Sequence, residues 1–353
     1  MRNGTRKLLL LSVATLALAG CLNLGSRPKV PPDAGVYLSR SKGEQWVPRQ
    51  RFVVPGGVGS LSSVSVLELF ADPQDARALY LTTPGGGLLY TFDGGLTWQQ
   101  PPEVTTSTVN DVAVDPRQTC TIYLGLDNRA LKSVDCSRSY REIYLDPRPN
   151  AVTAIAVDRE NSNIIYLGTS GGEFLRSGNG GGSWSRIYQF GSGVQWVMFD
   201  PNNPKRAYAL TAQQGLLRST DGAQTWHDLS QSLSAFSYGQ EIRSLQFVSD
   251  QPNTALLLNR YGLLKTTNGG DSWQAIPLIT PPLSANILAF AVNPANSKEI
   301  FYATASTFYT STDGGVNWIT RRLPGRRAAP QLLFIHPRDP GALYLGLTVL
   351  PAR

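Results

Sequence analysis

The chain is poor in the residues that build metal sites and nucleophilic sites. Its 353 residues include only two histidines, three cysteines and two methionines. His227 follows a tryptophan, and His336 stands at the end of an apolar run, so neither belongs to a cluster with ligand spacing. No serine or threonine has an evident histidine partner. The sequence therefore predicts no metal, no cofactor and no histidine-assisted nucleophile.

Long apolar runs are also missing beyond the first twenty residues. Residues 8–18 form an apolar run of 11 residues, which is shorter than a membrane-spanning helix requires. The basic residues before it are Arg2, Arg6 and Lys7. A basic segment followed by a short apolar run is typical of a secretory leader.

Residues 18–21 read LAGC and resemble a bacterial lipobox, whose cysteine is lipidated and becomes the new N terminus. On this resemblance, residues 1–20 are a lipoprotein signal peptide, and residues 21–33 are the lipid-bearing Cys21 and a tether. An ordinary signal peptide with a chance cysteine is the alternative. The expected location is the cell envelope, at the outer membrane if the cell has one and otherwise at the outer face of the cytoplasmic membrane.

The net charge is modest once the leader is set aside. The whole chain carries a formal charge of +7. Removing the three basic residues of the leader leaves 29 basic and 25 acidic residues, a charge of +4. Such a small excess on an exported protein argues against a nucleic-acid partner.

Two cysteines remain after Cys21, namely Cys120 and Cys136. An even pair in an oxidising compartment suggests a disulfide, and two free buried thiols are the alternative. A loop of about 16 residues closed by such a bond is worth roughly 3 kcal/mol in the chain-entropy model.

Seven copies of one octet recur along the chain. Thr91–Trp98 reads TFDGGLTW, and its pattern is a hydroxyl residue, an Asp or Asn two positions on, glycines, and a closing aromatic residue. The other copies, two of them degenerate, are Ser39–Trp46, Ser133–Tyr140, Ser177–Trp184, Ser219–Trp226, Thr266–Trp273 and Ser311–Trp318. Each is interpreted as a tight turn between two strands, with side chains bonded to the turn backbone.

The spacing of the octets predicts the architecture. Successive octets end 52, 42, 44, 42, 47 and 45 residues apart, and no segment has the pattern of a long amphipathic helix. An all-β repeat of this length indicates propeller blades. Before the first full unit stand only a third strand, an octet and a fourth strand, and the chain ends on a first and a second strand. We therefore predict that residues 34–353 form a seven-bladed β-propeller, closed by joining the two terminal half-blades.

The octets resemble the Asp-boxes, or BNR repeats, of the sialidase-like and sortilin-like propeller superfamily. The resemblance covers essentially the whole chain after the tether. It implies the fold and not the activity, because this superfamily includes sialidases, xyloglucan-cleaving glycosidases, sortilin-type receptors and photosystem II stability/assembly factors. The resemblance to the assembly-factor branch is weaker. In the superfamily the boxes lie at the blade periphery, away from the ligand-binding face.

The acidic residues give little support to an enzyme. A glycosidase needs a pair of carboxylates across a cleft. The candidates on the predicted loop face are scattered among blades; they are Glu103, Asp127, Asp146, Glu173 and Glu241. The Arg-Ile-Pro type of motif through which a sialidase resembles its family is absent. We therefore assign no catalytic residue, although the sequence leaves the question of enzymatic activity open.

Arginines provide the candidate binding site. They lie in the segments that follow two octets of neighbouring predicted blades: Arg49, Arg51, Arg321, Arg322, Arg326 and Arg327. Arg148 and Arg260 are further candidates for the same side. Guanidinium forks match carboxylates and phosphates, so these residues predict an anion-recognising patch, with a solvated basic rim as the alternative.

The sequence thus favours a non-catalytic, membrane-anchored propeller that binds a protein or glycan partner, itself anionic. Assembly or stabilisation of an envelope or membrane complex is one concrete version. The alternative is a sialidase-like glycoside hydrolase or a lectin-like carbohydrate-binding module.

Overall fold

The computed structural model describes residues 33–351. The all-β prediction is confirmed, since the regular elements in this part of the chain are thirty strands and two short 3-10 helices, Leu61–Ser63 and Ser230–Leu233. Within these residues no helix has both the length and the apolar character needed to cross a bilayer. The leader, Cys21 and the tether up to residue 32 lie outside the described residues.

Five consecutive four-stranded antiparallel sheets occupy the middle of the chain, each with its strands in sequence order. Sheet 2 contains β9 (Val109–Val114), β10 (Ile122–Leu126), β11 (Arg129–Ser133) and β12 (Arg141–Leu145). Sheet 3 contains β13 (Val152–Val157), β14 (Ile165–Thr169), β15 (Glu173–Ser177) and β16 (Ser185–Gln189). Sheet 4 contains β17 (Val194–Asp200), β18 (Asn203–Thr211), β19 (Gly215–Ser219) and β20 (His227–Asp228). Sheet 5 contains β21 (Ile242–Phe247), β22 (Ala255–Asn259), β23 (Leu263–Thr266) and β24 (Gln274–Ala275). Sheet 6 contains β25 (Ala289–Asn293), β26 (Asn296–Ala303), β27 (Thr307–Ser311) and β28 (Ile319–Arg322).

One further four-stranded sheet joins the two ends of the described chain, and we call it the seam sheet. It contains β1 (Gly35–Ser39), β2 (Val47–Pro48), β29 (Ala328–His336) and β30 (Asp339–Val349), in the order β2-β1-β30-β29. The antiparallel register between β1 and β30 runs from Gly35 opposite Leu347 to Ser39 opposite Leu343. All five residues of β1 are buried, so this pairing belongs to the core.

Sheet 1 departs from the regular pattern. Its ladder contains β5 (Leu69–Ala71), β6 (Leu79–Thr83) and β7 (Gly87–Thr91), with a single bridge from Tyr90 to Gln99. The short β8 (Thr97–Trp98) pairs in parallel with β3 (Arg51–Val54), which forms a hairpin with β4 (Gly57–Ser60). The sequence did not predict this hairpin.

Seven hydrophobic clusters hold the sheets together, and each draws its residues from two sheets. Five clusters join consecutive pairs from sheet 1 to sheet 6. The other two join the seam sheet to sheet 6, through Tyr37 and Phe308, and to sheet 1, through Val36 and Leu79. Burial of these faces supplies the hydrophobic driving force, which is about 25 cal/mol for each Å² of apolar surface.

The octet turns are held by their own side chains. In Thr91–Trp98, the Asp93 carboxylate accepts hydrogen bonds from the Thr97 amide (2.9 Å) and the Thr91 hydroxyl (2.7 Å). The Thr91 hydroxyl in turn accepts from the Gly95 amide at 3.1 Å. Gly95 has φ +83°, a conformation that favours glycine. In the octets with asparagine, the Asn179 amide oxygen accepts from the Ser183 amide in the same way.

Four of the closing tryptophans donate a hydrogen bond to the preceding sheet or the segment after it, whereas the Nε1 groups of Trp46 and Trp226 have no partner among the described residues. The Trp98 Nε1 group donates to the Arg49 carbonyl at 2.9 Å, and that of Trp184 donates to the Ile143 carbonyl at 2.8 Å. Trp318 donates to the Pro277 carbonyl at 2.8 Å. The octet thus combines a local turn with a contact between sheets.

A second repeated turn follows the first strand of most sheets. The Asp115 carboxylate accepts from the backbone amides of Arg117 (2.9 Å) and Gln118 (3.1 Å). In the seam sheet His336 takes this place, and its Nδ1 accepts from the Arg338 amide at 3.1 Å. Burial lowers the pKa of His336, in keeping with a neutral ring that acts as an acceptor. Its role is therefore that of the aspartates at the equivalent turns.

Candidate functional site

The two ends of the sheets differ in what they carry. Because neighbouring strands are antiparallel, the octets and the turns between first and second strands lie at one end, which we call the octet face. The connections between sheets and the loops between second and third strands lie at the other end, the connection face. The octet carboxylates are engaged in turns, and hydrogen bonds from the Asn317 backbone and side chain hold the pKa of Asp313 to about 2. The octet face is therefore structural.

The predicted arginine set divides into two kinds of residue. Arg49 and Arg321 are half-buried and serve packing. The Arg321 guanidinium pairs with Glu44 of the Ser39–Trp46 octet at 2.7 Å. The backbone of Arg49 accepts the hydrogen bond from Trp98, and its aliphatic stem lies against the Gly95 turn. Both residues thus contribute to contacts between sheets.

The other four arginines, Arg51, Arg322, Arg326 and Arg327, are exposed. Arg322 ends β28, and Arg326 and Arg327 lie in the connection that leads into β29. The Arg326 backbone carbonyl accepts from the Asp33 amide at 2.9 Å, which fixes the backbone of the connection and leaves the side chain in solvent. Arg51 begins the β3–β4 hairpin.

Arg148 and Arg260 are engaged in ion pairs. The Arg148 guanidinium bonds Asp146 (3.4 Å) and Glu173, and Arg186 also reaches Glu173 at 3.4 Å. Burial and the nearby Asp146 charge raise the pKa of the Tyr144 hydroxyl to about 12. The buried carboxylates Asp146 and Glu173 are thus brought together, but as the anions of a structural network.

The remaining acidic candidates also have partners. The Glu103 carboxylate accepts from the Tyr140 amide at 2.7 Å, and Asp127 pairs with Arg129 at 3.7 Å. Glu241 pairs at 3.2 Å with Arg260, whose guanidinium lies 4.1 Å from the centre of the Tyr238 ring. None of the five acidic residues proposed from the sequence forms a carboxylate pair that faces an open cleft.

A cavity of about 750 Å³ runs between the first strands of the sheets. Its wall is mostly apolar and includes Trp196, the one tryptophan outside the octets. The charged residues in its lining are Glu68, Asp111 and Arg243. Asn110 and Gln331 line a smaller adjoining cavity of about 170 Å³, which Glu68 also lines.

Glu68 and Asp111 are two carboxylates that line the same cavity, and the sequence interpretation missed both. Enclosure by the protein wall raises the pKa of Glu68, although its side chain remains open to the cavity. Burial, followed by the Glu68 charge, raises the pKa of Asp111 well above its ordinary value. The Asp111 oxygens accept from the amides of Ile155 (2.9 Å) and Val112 (2.8 Å), so this carboxylate also joins sheets 2 and 3. The sequence feature that could have revealed them is an acidic residue within the apolar first strand of a sheet.

Cys120 and Cys136 are joined by a disulfide in the structure. The bond connects the turn before β10 to the octet Ser133–Tyr140, where the Cys136 amide also donates to the Cys120 carbonyl at 3.1 Å. Over residues 33–351, no group of three or more His, Cys, Asp or Glu side chains is arranged to hold a metal ion.

Comparison with known proteins places the chain among propellers. A family model described as Sortilin, neurotensin receptor 3, matches residues 172–277. The xyloglucanase Xgh74A of Acetivibrio thermocellus is 28% identical over 224 residues, which cover 49% of this chain and 26% of that protein. The photosystem II stability/assembly factor HCF136 of Oryza sativa subsp. japonica is 25% identical over 124 residues, 35% of this chain and 29% of that protein. The matched regions span only 17–30% of the curated relatives.

Solved structures agree on the architecture. The GH74 xyloglucanase from Xanthomonas campestris superposes with a TM-score of 0.63 at 19% identity, covering 80% of this chain and 51% of that one. A structure of YCF48 bound to D1 peptide superposes with a TM-score of 0.60 at 18% identity, covering 82% and 94%. The chain folds as a β-propeller. At these identities the likeness concerns the fold alone.

Proposed function

We propose that this protein is a closed, seven-bladed propeller, anchored to the cell envelope through Cys21, that binds a protein or glycan partner without catalysing a reaction. The seam sheet and the seven clusters between pairs of sheets support closure, because each sheet packs against two others. Such a ring removes the exposed sheet edges that an open array would leave.

The observation that carries the binding role is the exposed arginine cluster on the connection face. Arg322, Arg326 and Arg327 lie within six residues of one another, and no acidic residue occurs between Asp313 and Asp339. Guanidinium groups that present forked donors to solvent favour carboxylate and phosphate ligands. Among proteins of the same fold, YCF48 has been solved with a D1 peptide, which supports a protein partner, and the similarity to a photosystem II stability/assembly factor supports a role in assembly.

An affinity pull-down from detergent-solubilised native envelope tests this role. The bait is the full chain, compared with the variant Arg322→Ala/Arg326→Ala/Arg327→Ala, while Arg321 is kept because it pairs with Glu44. A matched control removes three exposed cations from the octet face: Arg159→Ala, Lys205→Ala and Lys298→Ala. A partner retained by the native chain and the control but lost by the arginine variant supports the proposal. Equal retention by all three baits would contradict it.

Glycoside hydrolysis is the second candidate, and the pair Glu68 and Asp111 is the observation that favours it. A carboxyl group with a raised pKa suits a general acid. Two carboxylates in one cavity wall are also the kind of pair that a glycosidase uses. The test is release of reducing ends from xyloglucan and from sialylated glycans. Activity that disappears in both Glu68→Gln and Asp111→Asn would establish this alternative, and inactive native protein would exclude these substrates.

A further inference from the structure

The described chain begins at a basic and apolar part of the surface. The Asp33 amide donates to the Arg326 carbonyl at 2.9 Å, and the Ala34 amide donates to the Ser62 carbonyl at 2.7 Å. The Gln50 side-chain amide donates to the Asp33 carboxylate at 3.2 Å. Residues 33 and 34 are therefore held between the arginine-bearing connection and the base of the β3–β4 hairpin.

This hairpin presents apolar side chains to solvent. Val53 and Val58 are directly opposite each other in the register, and they are 45% and 59% exposed. Arg51 lies two residues before Val53, and since side chains alternate along a strand, it lies on the same face. The parallel pairing of β3 with β8 directs the hairpin tip along the fourth strand of sheet 1, towards the connection face. An exposed pair of valines beside arginines has no role in the propeller core.

Three segments that meet around Asp33 contain no acidic residue. They are residues 45–67, residues 314–338 and residues 340–353. Leu350 lies beside the connection, where its amide donates to the Arg327 carbonyl at 2.9 Å, and it is 45% exposed. The surface thus combines exposed guanidinium groups with exposed aliphatic side chains, and Asp33, whose carboxylate accepts from Gln50, is the acidic residue at its centre.

We propose that this surface docks on anionic phospholipid headgroups. The arginines pair with lipid phosphates while Val53, Val58 and Leu350 enter the interfacial layer, as in interfacial segments that combine basic and apolar side chains. The inference rests on the proposed anchoring through Cys21. Asp33 is twelve positions after Cys21, so even a fully extended tether holds Asp33 within about 40 Å of the anchor.

Docking also gives the proposed function an orientation. Each basic residue close to an anionic membrane strengthens binding about fivefold. The three connection arginines therefore shift the balance between docked and undocked protein on the order of 100-fold. A docked propeller presents the rim of its connection face at the level of the headgroups, where a membrane complex exposes its own segments. Quenching at position 58 that is unchanged by loss of the three arginines would instead leave these arginines to the protein or glycan partner of the proposed function.

The test uses the lipidated full-length protein reconstituted in nanodiscs whose headgroups carry nitroxide quenchers. A fluorescent dye is attached at Val58→Cys and, in a matched control, at Val316→Cys, another exposed valine but on the octet face. The Cys120–Cys136 disulfide keeps the native thiols from reacting without reductant. In phosphatidylglycerol discs we expect strong quenching at position 58 and little at position 316. Quenching at 58 should fall in phosphatidylcholine discs.

Two sets of substitutions, each made in the dye-labelled proteins, test whether the connection arginines are responsible for the quenching. Arg322→Ala/Arg326→Ala/Arg327→Ala should lose the quenching at position 58, whereas Arg159→Ala/Lys205→Ala/Lys298→Ala should keep it. Circular dichroism confirms that each variant is folded. Equal quenching at positions 58 and 316 in an anchored protein would overturn the docking surface and leave the anchor standing. If Cys21 is unmodified and no protein enters the discs, the anchoring part of the proposed function is refuted. The docking proposal, which depends on the anchor, is then refuted as well.

Discussion

The closing tryptophan of the octet offers the sharpest test of how the sheets are joined. Trp98 is completely buried, lies in the cluster between the seam sheet and sheet 1, and donates through Nε1 to the Arg49 carbonyl. Trp98→Ala removes a buried aromatic ring, which costs about 3–5 kcal/mol. It also leaves a backbone carbonyl without its partner, at about 1–3 kcal/mol if water does not replace the donor. We expect a total loss of about 4–8 kcal/mol of unfolding free energy.

Two matched variants separate the packing from the hydrogen bond. Trp98→Phe keeps an aromatic ring and loses the Nε1 donor, so we expect a loss of about 1–3 kcal/mol. Leu96→Ala changes a half-exposed residue of the same octet and should cost less than about 0.5 kcal/mol. Urea unfolding followed by far-ultraviolet circular dichroism measures all three without depending on tryptophan fluorescence.

The outcome decides the role of the octet. A large loss in Trp98→Ala with a small loss in Leu96→Ala supports a tryptophan that joins two sheets. A loss below about 1 kcal/mol in Trp98→Ala would show that the octet is only a local turn, and that the clusters hold the ring without it.

Three further predictions concern the side chains that hold the repeated turns. His336→Asn keeps an acceptor for the Arg338 amide. Because the fold lowers the pKa of His336, the unfolding free energy of the native protein should fall as pH drops below about 6.5. This loss should be smaller in the variant, and urea midpoints measured on both sides of that pH will show the difference. Labelling of unfolded protein with a thiol reagent should modify Cys120 and Cys136 only after reduction, and Cys120→Ser/Cys136→Ser should lower the unfolding free energy by roughly 3 kcal/mol. Asp93→Ala removes the acceptor for the Thr91 and Thr97 groups and should cost about 1–3 kcal/mol in urea unfolding, whereas Asp93→Asn should cost less because asparagine fills this place in two native octets.

The octet repeat was the sequence feature from which the fold class and the turns could be predicted. The turn bonds of the octets follow from local side-chain chemistry, so the pattern of Thr91–Trp98 was enough to predict them. The all-β class followed from the regular spacing of these turns, because each interval holds a set of short strands and no helical period.

The side-chain environments could not be read from the repeat. Arg49 and Arg321 look alike in sequence to their exposed neighbours, but the first lies against Gly95 of another octet and the second meets Glu44, 277 residues away in the chain. The β3–β4 hairpin pairs with β8 across two sheets, a contact that leaves no local pattern. Glu68 and Asp111 come to line one cavity only when the sheets pack together, so their shared location depends on long-range contacts.

Recognition of a partner by the exposed arginines of the connection face is the central element of the proposed function. A photo-crosslinking amino acid placed at Arg322 in the native cell, with the same group at Val316 on the octet face, tests this directly. The account predicts a discrete crosslinked protein or glycan from position 322 that is absent from position 316 and disappears in Arg326→Ala/Arg327→Ala. Identical adducts from both positions, or an adduct at 322 that is indifferent to the loss of both arginines, would contradict it.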